Sequence, residues 1–161
     1  MSGEKELKQA QAVFKALCDM LDDHNWQYEK NEAELSIYCG ARGDDLPIEL
    51  KIGVDAQRKL VTLLSQMPFE VPENRRNALA VAVSEANNCM VDGDFDYNYL
   101  SGKIIFRMTT SFFDSLIGKD LFEYMFSCAC YTIDEYNDKF LMVAMKEMSI
   151  EQILNLIRGN R

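Results

Sequence analysis

Four short constellations carry residue types and spacings that could do chemistry. Cys128 and Cys130 form a Cys-x-Cys pair that could begin a zinc site, with His24 the single histidine available to help. Zinc takes about four convergent ligands, and residues two apart on a helix diverge by about 200°, so the pair does not close a site. Asp92-Gly93-Asp94-Phe95-Asp96 has the one-three-five carboxylate spacing of a calcium loop, but Tyr97 stands where the turn needs glycine and Lys103 where it needs a bidentate glutamate. On alternating strand positions these acids read as a solvated edge. His24 beside Asp22 and Asp23 would be a general base only with a nucleophile or an orienting acid in reach, and the two acids read instead as the polar end of a helix. Arg42-Gly43-Asp44 reads as a turn. The chain contains no nucleophile elbow, phosphate loop, dinucleotide fingerprint or zinc-binding helix motif. The expectation is therefore no catalytic residue, no cofactor and no bound metal.

Packing chemistry remains. The five cysteines are an odd number set inside apolar patterns, and they read as free, buried, small hydrophobes. Among nine methionines, Met142, Met145 and Met148 lie close together beside Phe140 and Leu141. Flexible thioethers could line a groove that accepts varied partner segments, or could fill a core or a dimer seam. Phe140 to Met145 is apolar all round, which in a helix asks for burial on more than one side. A second copy of the chain is the economical source of that second side.

The bulk properties frame these readings. The chain has 161 residues, 48% hydrophobic and 27% charged, which suits one packed domain over 1–161. Twenty-six acidic against 17 basic residues give a net charge of -9, which repels phosphate backbones and anionic bilayers. Arg75-Arg76 is a single basic pair, flanked by Glu73 and Glu85, and no Lys/Arg stripe surrounds it. No apolar run approaches the roughly 20 residues that span a bilayer. The first 25 residues mix charges among apolar positions, so no export signal is read and the chain is placed in the cytoplasm.

The periodicity then assigns the elements. Leu7, Ala10, Val13, Phe14, Leu17, Cys18 and Leu21 line one face of a helix from Glu4 to Asp23. Trp26 and Tyr28, then Leu35, Ile37 and Cys39, alternate as two strands about a turn at Lys30-Asn31-Glu32. Ile48 to Val54 and Leu60 to Leu64 complete an antiparallel meander, since the links are too short for parallel crossovers. Pro72 opens a helix to Met90 with Leu79, Ala82, Val83, Ala86 and Met90 as its stripe. A hairpin follows with a two-residue loop at Ser101-Gly102, placing Tyr99 opposite Ile104, Tyr97 opposite Phe106, Phe95 opposite Met108 and Asp96 opposite Arg107. A long helix from Gly118 carries Leu121 through Met145, and Ser149 with Gln152 forms a capping box for a last helix. The predicted architecture is α+β, a four-strand meander plus a two-strand hairpin with helices mainly on one side, in the order α-β-β-β-β-α-β-β-α-α.

The run Met67-Pro68-Phe69-Glu70-Val71-Pro72 before the middle helix, together with Tyr131-Thr132-Ile133-Asp134-Glu135-Tyr136 on the long helix, resembles the bacterial sensory transduction regulators of the YbjN type. The resemblance runs from Phe14 to about Val143, and that family is similar in turn to the type III secretion chaperone fold. It implies a protein that pairs with itself and binds other proteins, without a cofactor or a recognised active site. The expected function is a non-enzymatic, homodimeric protein-binding module, chaperone-like or regulatory, with an unidentified protein client and neither nucleic acid nor membrane as partner. Candidate partner-binding or dimer residues are Phe69, Leu79, Val83, Phe140, Met142, Met145 and Met148. The alternative is a small-molecule sensor with an aromatic pocket near Trp26, Tyr97 and Tyr99.

Overall fold

The computed structural model describes residues 2–159. Elements follow the predicted order: α1 Ser2–Asp23, β1 Tyr28–Asn31, β2 Ser36–Arg42, β3 Pro47–Asp55, β4 Leu60–Gln66, α2 Arg76–Cys89, β5 Asp94–Asn98, β6 Lys103–Ser111, α3 Lys119–Met145 and α4 Ile150–Arg158. All six strands join one antiparallel sheet in the order β1-β2-β3-β4-β6-β5. The hairpin is therefore not a separate layer. Its second strand lies beside β4 and its first becomes an edge.

Alternation decides which face is covered. Along β3, Ile48, Leu50, Ile52 and Val54 are buried while Glu49 and Lys51 are exposed. α1 packs on β3 and α3, α3 on β3 and β6, and α2 on β5, α3 and α4. This is an antiparallel sheet with its helices on one face. Phe95 joins the hairpin to α3, with ring centroids 5.3 Å from Phe106, 5.7 Å from Tyr136 and 4.9 Å from Phe140, all edge-on. The β5 edge is closed locally by α2: the Asn87 side-chain amide donates to Phe95 O at 3.1 Å and accepts from Phe95 N at 2.8 Å.

The hairpin register differs from the predicted one by two residues. Phe95 faces Phe106, Tyr97 faces Ile104 and Asp94 faces Arg107, with four residues, Tyr99 to Gly102, in the loop. A slip of one residue would turn the buried row to solvent at about 1.5–3 kcal/mol for each large apolar side chain, whereas a slip of two exposes none. Loop chemistry is left to choose. Asn98 Oδ1 accepts from Leu100 N and Ser101 N, both at 3.1 Å, and Asn98 O accepts from Gly102 N at 2.8 Å. Asp96 still reaches Arg107, diagonally, at 2.9 Å.

Three boundaries also move. Lys30 and Asn31 belong to β1, and the turn falls at residues 32–35, because Asn31 Oδ1 accepts from the backbone of Ala33 and Glu34 at 3.1 Å each. Pro72 does not open α2; it precedes a 3₁₀ turn at Glu73–Arg75, and the α-helix starts at Arg76. Trp26 lies before the first strand. Leu7 and Leu121 are exposed; Leu121 sits about 100° round the helix from Phe122, off the buried arc. The capping box forms as predicted, with Gln152 N donating to Ser149 Oγ at 3.2 Å and Ser149 N to Gln152 Oε1 at 2.8 Å.

Candidate functional site

The polar side chains singled out by the sequence are engaged in joining elements. Asp22, at the end of α1, accepts from Tyr28 OH on β1 at 2.9 Å, and Asp23 pairs with Lys119 on α3 at 2.6 Å. His24 Nε2 stands 3.6 Å from Glu123 Oε2, with both side chains about half exposed. Asp94 and Asp96 are bridged by Arg107, and Asp92 accepts from Tyr124 OH, so the three acids serve the sheet edge and α3. Asp134, in the long-helix motif, receives the Asp44 N–H at 2.8 Å and so pins the loop that begins at Arg42 and Gly43. Arg75 Nε donates to Val143 O at 3.0 Å and its second nitrogen to Lys146 O; Arg76 reaches Leu100 O at 2.7 Å. The Arg75-Arg76 pair is thereby committed to carbonyls.

Each cysteine is a free thiol, but only Cys18 and Cys39 are buried as expected; Cys89, Cys128 and Cys130 are half-buried, because each lies at the margin of a helix's packed face. Cys128 and Cys130 point away from each other: Cys128 lines a groove with Tyr131, Cys130 a cleft with Trp26. Burial pushes the Cys130 thiol up to about 11, helped by the Asp134 carboxylate, and the Cys39 thiol up to about 12. Both stay protonated and unreactive at neutral pH. Among the described residues no group of three or more His, Cys, Asp or Glu is placed to hold a metal ion.

The candidate contact residues separate by depth. Leu79, Val83 and Phe140 are in the core of a single chain, closed to any partner that meets a folded surface. Phe69, Met142 and Met148 are half-buried, and Met145 is 72% exposed. Val143 and Ala144 are buried within the chain itself, so α2 and the Arg75 turn supply most of the second side for which a second copy was expected. Met145 and neighbouring Ile150 are what remains outside.

The aromatic trio does not converge. Trp26, just before β1, packs edge-on against Phe126 at 5.3 Å in a cleft of about 240 Å³. Tyr97 lies on β5, the opposite edge of the sheet, and Tyr99 just beyond it; they reach Arg76 O at 3.4 Å and Asn77 Oδ1 at 2.9 Å. One pocket cannot contain all three.

A groove that sequence reasoning missed runs between the end of α2 and the outer side of α3. It encloses about 460 Å³ and is walled by Met90, Val91, Asp92, Tyr124, Tyr131 and Arg158, among others. Val91 is 97% and Tyr131 74% exposed. Arg158 Nε pairs with Glu85 Oε1 at 2.6 Å, the Glu85 side chain being mostly covered, and this closes one end with α4. The signal available in the sequence was the spacing of Tyr124, Cys128 and Tyr131, a second helical stripe opposite the buried one.

Comparison with known proteins adds a family. The model of the YbjN family, described as "putative bacterial sensory transduction regulator", matches residues 14–142. No curated protein matches the chain. Among solved structures, the crystal structure of YbjN from E. coli, titled "a putative transcription regulator", is similar with a TM-score of 0.55. That match covers 78% of this chain and 91% of the other at 14% identity, a likeness of fold.

Proposed function

We propose that the chain, which belongs to the YbjN family, is a non-enzymatic regulatory module of the bacterial cytoplasm that binds a protein client and pairs with a second copy of itself. One observation carries the reading: the groove between α2 and α3 turns outward Tyr131, on α3, and Val91, in the link from α2 to β5, while the polar side chains around it are tied to each other. Outward aromatic anchors beside a concave surface suit protein recognition. The exposed Met145 and Ile150, next to the half-buried Met142 and Met148, supply a separate apolar corner for self-pairing. A small-molecule sensor is the second reading, favoured by the groove's volume of about 460 Å³, inside the range of roughly 300–1,000 Å³ common for ligand pockets.

Affinity capture from a bacterial lysate with the native chain and with Tyr131→Ser, read by mass spectrometry, tests the reading. A protein held by the native chain and lost by the variant is expected. A client held equally by both removes the groove from the account, and a metabolite retained in native mass spectra of the purified chain selects the sensor.

A further inference from the structure

A second surface has a different chemistry. The loop after β6 dips into the core at both ends through Phe112 and Ile117, and between them Phe113 and Leu116 point outward, 62% and 63% exposed. The loop is held in that shape. Gln9 on α1 donates its amide to Phe112 O at 2.9 Å and to Ser115 O at 2.7 Å, and Phe112 N donates to Lys59 O at 3.0 Å. Large apolar side chains presented on a fixed loop form a surface ordered before any partner arrives.

Beside them lies a groove of about 490 Å³ lined by Lys5, Gln9, Lys59, Asp114, Ser115 and Leu116. Most cations of the molecule sit in ion pairs or on carbonyls, yet among the described residues neither Lys5 nor Lys59 has a carboxylate within 4.0 Å. Lys59 Nζ instead rests 4.7 Å from the centre of the Phe113 ring. Lys59 also holds a left-handed backbone, φ 53°, in the β3–β4 turn, which glycine would adopt without strain. The ammonium, resting on an exposed ring and without a carboxylate partner, is open to an anionic ligand.

We propose that this groove docks a segment of a partner protein in which carboxylates alternate with apolar side chains. The carboxylates meet Lys5 and Lys59, and an apolar side chain settles against Phe113 and Leu116. Charge complementarity selects this occupant: in a chain of net charge -9 these two cations line one groove with no carboxylate partner among the described residues. An anionic bilayer is disfavoured because its broad surface faces the whole chain's net charge of -9, whereas a short segment meets only the two lysines and Asp114 of this groove.

Fluorescence anisotropy with the full chain provides the test. The probes are a labelled peptide alternating Asp or Glu with Leu and Phe, and its counterpart with Lys for every acid. The acidic peptide is expected to bind roughly tenfold more tightly than the basic one, and Lys5→Glu with Lys59→Glu to weaken it by about tenfold. Lys59→Gly keeps the turn and removes the charge, so its melting temperature should hold while affinity falls several-fold. Equal binding of both peptides, unchanged affinity in Lys59→Gly, or binding to phosphatidylglycerol vesicles without binding to the acidic peptide would overturn the proposal. Tyr131→Ser should leave this binding intact, which separates the groove here from the one on α3.

Discussion

At the scale of single residues, close approach and burial dominate. Gly102 has φ 76°, and a Cβ there would lie 2.4 Å from Val71 O. Val71 N also donates to Gly102 O at 2.9 Å, so the loop between β5 and β6 and the segment before α2 are locked together. Gly102→Ala should lower stability by about 2 kcal/mol or more, measured by urea unfolding, because neither the dihedral nor the backbone contact can yield. Two covered thiols, the buried Cys39 and the half-buried Cys130, make a pH-dependent contribution. In the folded chain Cys39 and Cys130 hold their protons up to about 12 and 11, whereas unfolded thiols ionise near about 8.5. The folded state binds those protons more tightly, so this stabilisation is complete below the ordinary thiol range and is lost as pH rises from about 9 to 12. Urea unfolding at a series of pH values should show the advantage of the native chain over Cys39→Ala shrinking across that window.

At the scale of elements, local signals were readable and distant ones were not. The capping box of α4 lies within four consecutive residues and formed as read. The start of α2 depends on Arg75, whose partner Val143 is 68 positions away, and no window along the chain contains both. Arg75 satisfies the last carbonyls of α3 while interrupting the approach to α2 with a 3₁₀ turn. Arg75→Ala should cost about 1–3 kcal/mol and raise amide exchange in the final turn of α3, with Arg75→Lys recovering part of the loss. If exchange there is unchanged, the clamp has no energetic role. The register of the β5–β6 hairpin belongs to the same lesson. Apolar alternation excluded a slip of one residue, yet was blind to a slip of two.

At the scale of the whole molecule, the question is what one chain leaves unburied. Within one chain most of the Phe140 to Met145 stretch is covered, α2 and the Arg75 turn supplying much of its second side, which leaves Met145 and, at the start of α4, Ile150 as the exposed apolar residues of this corner. If that corner pairs two copies, Met145→Glu combined with Ile150→Glu should halve the mass seen by light scattering with circular dichroism unchanged. A native chain that stays monomeric at high concentration ends the self-pairing proposal. The two grooves, one on α3 and one beside the β6–α3 loop, use side chains scattered from Lys5 to Arg158. Spacing on α3 marks one wall of the first groove, but the remaining lining of both comes from other elements.

Sequence alone determined the element order, the α+β class, the covered face of the alternating strands β2, β3, β5 and β6, and the capping box, since each rests on periods and hydrogen bonds spanning a few residues. Tertiary structure decided the place of the hairpin beside β4, its register, the start of α2 and the composition of both grooves. Those outcomes turn on contacts between residues far apart in the chain, such as Asn87 with Phe95 on the sheet edge and Gln9 with Ser115. Hydrophobic periodicity cannot rank such alternatives, because they bury the same side chains and differ only in which backbone groups find partners.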